Sequence, residues 1–210
     1  MSLPSQKSTG LLDSPVALPL KAPTRERGRL RVAALLQAAA SVFARTGFDN
    51  ATMTEVAAAA KSSIGSLYQF FPTKESLARE LVRIQMADLA LSLEAIRTEA
   101  DQLATDVLSE RLCFALIRFR DAHPSFAILV ETPGASPEMA DGVRRNMRAQ
   151  LSTILRSHFP QLDAGHATAM AAVVQQIMKS AVQINAEPDP GLRASALNEL
   201  CKMMYAYLSL

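Results

Sequence analysis

Tryptophan is missing from this sequence, the aromatic residues together make up only 5% of it, and cysteine occurs twice. Cys113 and Cys201 are distant in sequence and sit at no metal-ligand spacing, which argues against a disulfide framework and fits a reducing compartment. Long apolar runs are lacking too: nothing approaches the ~18 consecutive apolar residues of a membrane-spanning helix. The apolar patch from Leu11 to Leu20 is broken by Asp13, Pro15 and Pro19, so a secretory leader is not expected and a cytoplasmic location is. Period-two alternation is nowhere long enough to specify a strand. No nucleophile–base pair, glycine-rich phosphate loop or paired carboxylates can be picked out, so the chain is not expected to be an enzyme. The three histidines, His123, His158 and His166, have no companions that complete a ligand set, and neither a metal nor a cofactor is expected. Both thiols are expected to be buried and inert, since nothing places a base beside either one.

What is present points to helices. Apolar residues reach 49% and charged residues 20%, which excludes disorder of the whole chain. Alanine and the unbranched apolar residues dominate, and these lose little rotamer freedom in a helix. The charge is unevenly placed. From Met1 to Lys74 nine lysines and arginines stand against four acidic residues; from Glu75 onward thirteen stand against sixteen. A basic front can neutralise phosphates, so the asymmetry points to nucleic acid at the N-terminal end.

Residues 1–24 are rich in Ser, Pro and Lys without helical period and are read as a flexible arm. The cluster Arg25, Arg27, Arg29 and Arg31 follows, a solvated helix start or a DNA contact. Val32, Leu35, Leu36, Ala39, Val42 and Phe43 then form one stripe at the 3.6-residue period, which predicts a helix over 26–45 closed by Gly47. Thr52 with Glu55 makes a capping box for a short second helix ending near Ala60. Lys61-Ser62-Ser63 forms a turn, Ser63 caps a third helix from Ile64 to Phe70, and Pro72 ends it. A fourth helix starts near Lys74, with Leu77, Leu81, Ile84 and Leu91 on its apolar side. Further helices are predicted over 101–122, 124–131, 137–159, 164–186 and 191–208, with Ser136, Asp163 and Asp189 as caps. The expected fold is all-α.

The stretch from Thr52 to Phe71 has the pattern of a helix-turn-helix, whose second helix enters the major groove. Its third helix is odd for a core element. Gly65 and Ser66 carry almost no side chain, so backbone can approach a partner, while Tyr68 and Gln69 offer groups suited to phosphate and base edges. Lys61, in the turn, can add a phosphate contact, Ser63 beside it is a further DNA-binding candidate, and Leu67, Phe70 and Phe71 are expected to face the core.

The string Ile64-Gly65-Ser66-Leu67-Tyr68-Gln69-Phe70-Phe71-Pro72-Thr73-Lys74-Glu75-Ser76-Leu77 closely resembles the recognition helix and following turn of the TetR family of bacterial transcriptional regulators. Phe43, Gly47, Phe48, Thr52, Val56 and Ala57 sit where that family places similar residues, and the resemblance covers about residues 28 to 85. One departure is Lys61-Ser62, where the family commonly has Gly-Val, which puts the turn geometry in question. The resemblance implies phosphate contacts for Thr52, Tyr68 and Lys74, with Ile64, Gly65, Ser66 and Gln69 facing bases. It also implies a helix-turn-helix DNA-binding domain over 25–87 and an effector-binding and dimerisation domain over 88–210. The implied function is a repressor that binds a near-palindromic double-stranded operator and is released by a small-molecule effector. Activation, or ligand binding without specific DNA binding, are the alternatives.

Residues 167–184 are apolar almost all round and need neighbours on several sides. The resemblance implies a homodimer through the last two helices, with Met170, Val173, Val174, Ile177, Leu197, Leu200, Met204 and Tyr207 at the interface. Candidates for lining an effector pocket are Leu108, Leu112, Phe114, Ile117, Phe126, Leu129, Met147, Leu151 and Ile154. Arg118, His123 and Glu131 are polar groups that could orient a ligand, although surface placement is the simpler reading. The loop from Thr132 to Pro137 either gates access or simply connects two helices.

Overall fold

The computed structural model describes residues 24–131 and 137–209, so the arm reading for 1–23, the Ser136 cap and the 132–136 loop lie outside the described residues. Nine helices and no strand occur among the described residues. They are α1 (Thr24–Asn50), α2 (Met53–Ala59), α3 (Ile64–Phe70), α4 (Lys74–Glu99), α5 (Thr105–Ala122), α6 (Ser125–Val130), α7 (Pro137–His158), α8 (Ala164–Asn185) and α9 (Pro190–Leu208).

Local chemistry sets most of the boundaries. The path of α1 breaks at Gly47, whose φ of 79° and ψ of 167° lie in a region that is essentially glycine's alone. Past the break Phe48 folds back, its ring centroid 5.6 Å from that of Phe43. Asp163 and Asp189 cap α8 and α9 by accepting from the amides two and three residues ahead, and Pro190 opens α9 where its missing N–H costs nothing.

Three expectations are corrected. Leu91 is 70% exposed; the buried row of α4 runs through Leu77, Leu81, Gln85, Leu89 and Leu93, every fourth residue, and Leu91 falls on the opposite side. Phe70 is exposed while its neighbour Phe71 is buried. The helix expected from 101 begins instead at Thr105, because residues 101–104 form a turn. His158, from the end of α7, braces that turn: its Nδ1 lies 2.6 Å from the Ala100 carbonyl oxygen and its Nε2 3.1 Å from Thr105 Oγ1. A tie across more than fifty residues leaves no local sequence signal.

Helices α1 to α3, with the start of α4, enclose one end of the core through Leu35, Val42, Phe43, Val56, Leu67 and Leu77. Behind them α5 is wedged against α8 and α9, while α7 packs on α8 and α4. Helix α4 runs unbroken across the boundary expected at 87, and α6 lies against α1, so two elements join the ends. No helix of the described residues is long and apolar enough to cross a membrane.

Candidate functional site

The capping box at Thr52 fixes where α2 begins. Glu55 Oε2 accepts from the Thr52 amide at 2.9 Å and from its hydroxyl at 2.8 Å, and the Glu55 amide donates to Thr52 Oγ1 at 3.2 Å. These donors, the Thr52 amide first, hold the Glu55 carboxyl below the usual carboxylate range. The following turn needs one left-handed residue, and Lys61 supplies it with a φ of 51°. Where the family commonly has glycine, Lys61 thus takes a left-handed conformation that favours glycine, at the steric cost of a Cβ. Ser63 then caps α3 by accepting from the Ser66 amide at 3.1 Å.

Only Leu67 of α3 is fully buried. Ile64 and Tyr68, one turn apart, and Gly65 and Gln69 beside them are exposed on a common face, with Lys61 and Ser63 exposed just ahead. A Cβ built on Gly65 would meet nothing within 4 Å, so no contact inside the protein requires glycine there. The face carries a phenol, an amide and an apolar branch around a strip of bare backbone. It is shaped for something that approaches closely from outside.

Two residues expected on this face stand apart from it. Ser66 Oγ is buried and has no hydrogen-bond partner, so its hydroxyl is turned from the surface. Lys74 points back into the protein. Its ammonium donates to the carbonyl oxygens of Phe48, Asp49 and Ala51 at 2.7, 3.0 and 3.0 Å and sits 4.6 Å from the Phe48 ring centroid. It thereby ties the end of α1 to the start of α4, with all three of its donors used. Thr52 is exposed, but its hydroxyl hydrogen is committed to Glu55. Phe70, assigned to the core from sequence, joins the exposed side; two adjacent phenylalanines gave no means of telling which one turned inward.

The residues expected at a dimer interface divide. Val174, Ile177, Leu197, Leu200 and Met204 are buried within the protomer, because α8 is covered by α5, α7 and α9, and α9 by α5 and α8. Met170 and Tyr207 are half-buried, and Val173 is 41% exposed. Leu192 and Met203 of α9, not singled out from sequence, are more exposed than any of these, at 56% and 52%.

The pocket candidates also divide. Leu108, Leu112, Ile117, Leu129, Leu151 and Ile154 are solid core. Phe114 lines an open groove of about 640 Å³ between α5 and α9, alongside Glu110, Cys201 and Tyr205. Phe126 and Met147 line a smaller, more enclosed cavity of about 250 Å³ bounded by α4, α5, α6, α7 and α8. Arg118 is exposed, His123 Nε2 lies 3.4 Å from Asp88, and Glu131 accepts two bonds from Arg120 at 2.8 and 3.1 Å.

The fold brings the two thiols together across α5 and α9. Both are free, Cys113 buried and Cys201 half-buried. Burial first, and then its hydrogen bond to Cys201, pushes the Cys113 thiol far above its ordinary value. Among the described residues no group of three His, Cys, Asp or Glu side chains could hold a metal ion.

A short helix pair presenting an exposed second helix, joined by one long helix to a larger helical body, is the arrangement of a helix-turn-helix DNA-binding regulator. The chain belongs to the TetR family of transcriptional regulators. Residues 35–81 match the family of bacterial regulatory proteins of the tetR type, and residues 106–208 match a tetracyclin repressor-like C-terminal domain. No curated protein matches the sequence. Among solved structures, a protein of Mesorhizobium loti assigned to the TetR regulators superposes with a TM-score of 0.69 at 18% identity, over 87% of this chain and 97% of that one. The regulator FadR of Bacillus subtilis, solved with stearoyl-CoA, gives 0.63 at 16% identity over 83% and 98%. A TetR-family regulator of Streptomyces coelicolor gives 0.66 at 20% identity over 85% and 80%.

Proposed function

We propose that this regulator is a cytoplasmic homodimeric repressor that holds a near-palindromic operator through α3 and releases it when a small molecule fills the cavity between α4 and α8. The observation that carries DNA reading by α3 is its outer face, with Ile64, Gly65, Tyr68 and Gln69 exposed together around backbone that nothing in the protein covers. Tyr68 is suited to a phosphate oxygen and Gln69 to a base edge, with Lys61 adding positive charge in the turn just ahead of α3. In a dimer two such helices about 34–36 Å apart would meet successive major-groove faces. The exposed Val173, Leu192 and Met203 supply an outer apolar surface on α8 and α9 for the partner.

Release needs a ligand that prefers a different arrangement of the two ends, and it shifts DNA binding by that preference alone. The cavity touches α4, which carries the shift directly, and α6, which rests on α1. Gln85 of α4 donates to Ser125 Oγ at the start of α6 at 2.9 Å, a buried bond that locks the two routes together. The stearoyl-CoA complex of the Bacillus subtilis relative supports ligand binding in this architecture.

The test is fluorescence anisotropy on the DNA just upstream of the protein's own gene, with excess unrelated competitor and over a range of salt. Competitor-resistant binding that weakens steeply with salt and is lost in Tyr68→Ala is the expected result. Binding that competitor abolishes, here and across genomic fragments, would overturn the reading.

A further inference from the structure

We propose that Cys113 and Cys201 form an oxidation site, at which a hydroperoxide converts the two thiols to a reversible disulfide that pins α9 to α5. They are the only cysteines of the chain, and helices far apart in sequence bring them together. Cys113 belongs to the core and is 0% exposed, and Cys201 packs against that core from α9. Glu110, one turn before Cys113, and Phe114, next to it, line the same groove as Leu197, Cys201 and Tyr205, which succeed one another at single turns of α9. The two thiols meet at the floor of this groove, where the Cys113 S–H donates to the Cys201 sulfur. Helices packed ~8–10 Å apart carry Cα atoms ~2.3 Å off their axes, so positions that face each other come within reach of the ~4.4–6.8 Å that a disulfide spans.

Access differs between the two sulfurs, and that sets their roles. The open groove is lined by Cys201 and not by Cys113, so a peroxide entering it meets Cys201 first. Burial raises the Cys201 thiol, and the hydrogen bond from Cys113 works against that rise by favouring the thiolate, which is the form that reacts. The Cys201 thiolate attacks the terminal oxygen of the hydroperoxide and the O–O bond breaks. The departing alkoxide takes up the proton that Cys201 released and leaves as an alcohol, and Cys201 becomes a sulfenic acid. The Cys113 sulfur then displaces hydroxide from the Cys201 sulfur, forming the S–S bond, and the Cys113 proton goes to the hydroxide to give water. Two thiols are oxidised by two electrons, and one hydroperoxide is reduced to one alcohol and one water. Because Cys113 already touches Cys201, a second peroxide has to compete with a thiol in place, and the sulfenic acid is diverted from further oxidation.

The test is intact-mass spectrometry of the full-length protein, reduced first, then exposed to hydrogen peroxide in stepwise excess and blocked with N-ethylmaleimide. The expected product has lost two hydrogens, takes up no maleimide, runs as a single chain on a non-reducing gel and returns to its starting mass with dithiothreitol. Cys113→Ala should stop with one added oxygen on Cys201, which dimedone captures. Cys201→Ala should leave Cys113 reduced at least ten times longer than Cys201 lasts in the parent. Cys113 is buried, so its replacement is checked by circular dichroism; peptide mapping of the oxidised parent, which must show the Cys113 and Cys201 peptides linked, decides the same question without a substitution. Survival of both thiols through an overnight exposure that fully oxidises glutathione would overturn the site. So would a bond between two chains in place of one within a chain, a sulfinic acid at Cys201 with Cys113 still free, or Cys113 reacting as fast in Cys201→Ala as Cys201 does in the parent. No readout involves DNA or the cavity between α4 and α8, so the site and the repressor reading stand or fall separately.

Discussion

Gly65 and Lys61 separate stability from function at single positions. Gly65 sits inside α3 with open space where a Cβ would go, so the protein itself gains nothing from its flexibility. Gly65→Ala is expected to stabilise the fold by about 0.5–1 kcal/mol, since alanine loses less entropy in a helix, and still to weaken operator binding at least tenfold by holding the backbone off the DNA. Thermal unfolding and anisotropy on one sample check both halves. Unchanged DNA affinity would mean that α3 does not approach its target through this strip. Lys61 pays a steric penalty for its φ of 51°. Lys61→Gly should relieve part of it, stabilising by about 0.5–1 kcal/mol, and should reduce the steepness of the salt dependence of DNA binding by close to one phosphate contact.

Whole elements depend on a few ties. The Glu55 carboxyl closes the capping box of α2, and its donors hold its pKa below the ordinary value. The folded pKa lies below the unfolded one, so this contribution is fully present above the unfolded carboxylate pKa and is lost as pH falls through the folded pKa. Urea unfolding between about pH 3 and 6 should show Glu55→Gln less stable than the parent at the upper end, with the two converging toward the lower end. Lys74 anchors a larger junction. Lys74→Met removes three charge-assisted bonds between the start of α4 and the end of α1, and should cost about 2–3 kcal/mol in denaturant unfolding. A cost near zero would show that those carbonyls find water equally well. Operator affinity should fall further than lost charge accounts for, because the seat of α3 loosens with the junction.

At the scale of the molecule, the proposed control needs two things: a cavity event carried to α3 through the unbroken α4 and the α6–α1 contact, and a dimer in which that event separates two recognition helices. Val173→Glu combined with Met203→Glu puts charge on the outer face of α8 and α9 without touching the buried core. The variant is expected to unfold like the parent but to sediment as a monomer and to lose operator affinity by a hundredfold or more, since one half-site remains. A variant that stays dimeric would place the interface elsewhere.

Much of this was legible in order along the chain. The stripe from Val32 to Phe43, the capping box at Thr52, the Ser63 cap, the stop at Pro72 and the aspartate caps of α8 and α9 are all signals spanning three or four residues. The helices they predict are the helices that form. The string from Ile64 to Leu77 announced the TetR family in the same local way. The resemblance put Ile64, Gly65, Ser66, Tyr68 and Gln69 on the side meant for DNA, and of these all but Ser66 are exposed.

The tertiary structure decided what depends on distant partners. It turned Lys74 inward to three carbonyls, chose Phe71 over Phe70 for the core, and set Cys113 against Cys201 from helices far apart in sequence. It buried Val174 and Ile177 of α8 beneath α5 and α7 and Leu197, Leu200 and Met204 of α9 against α5 and α8, and left a cavity whose walls come from five helices. A helical period reports which side of a helix is apolar. What covers that side, and where the packing leaves a gap, is a property of the assembled bundle.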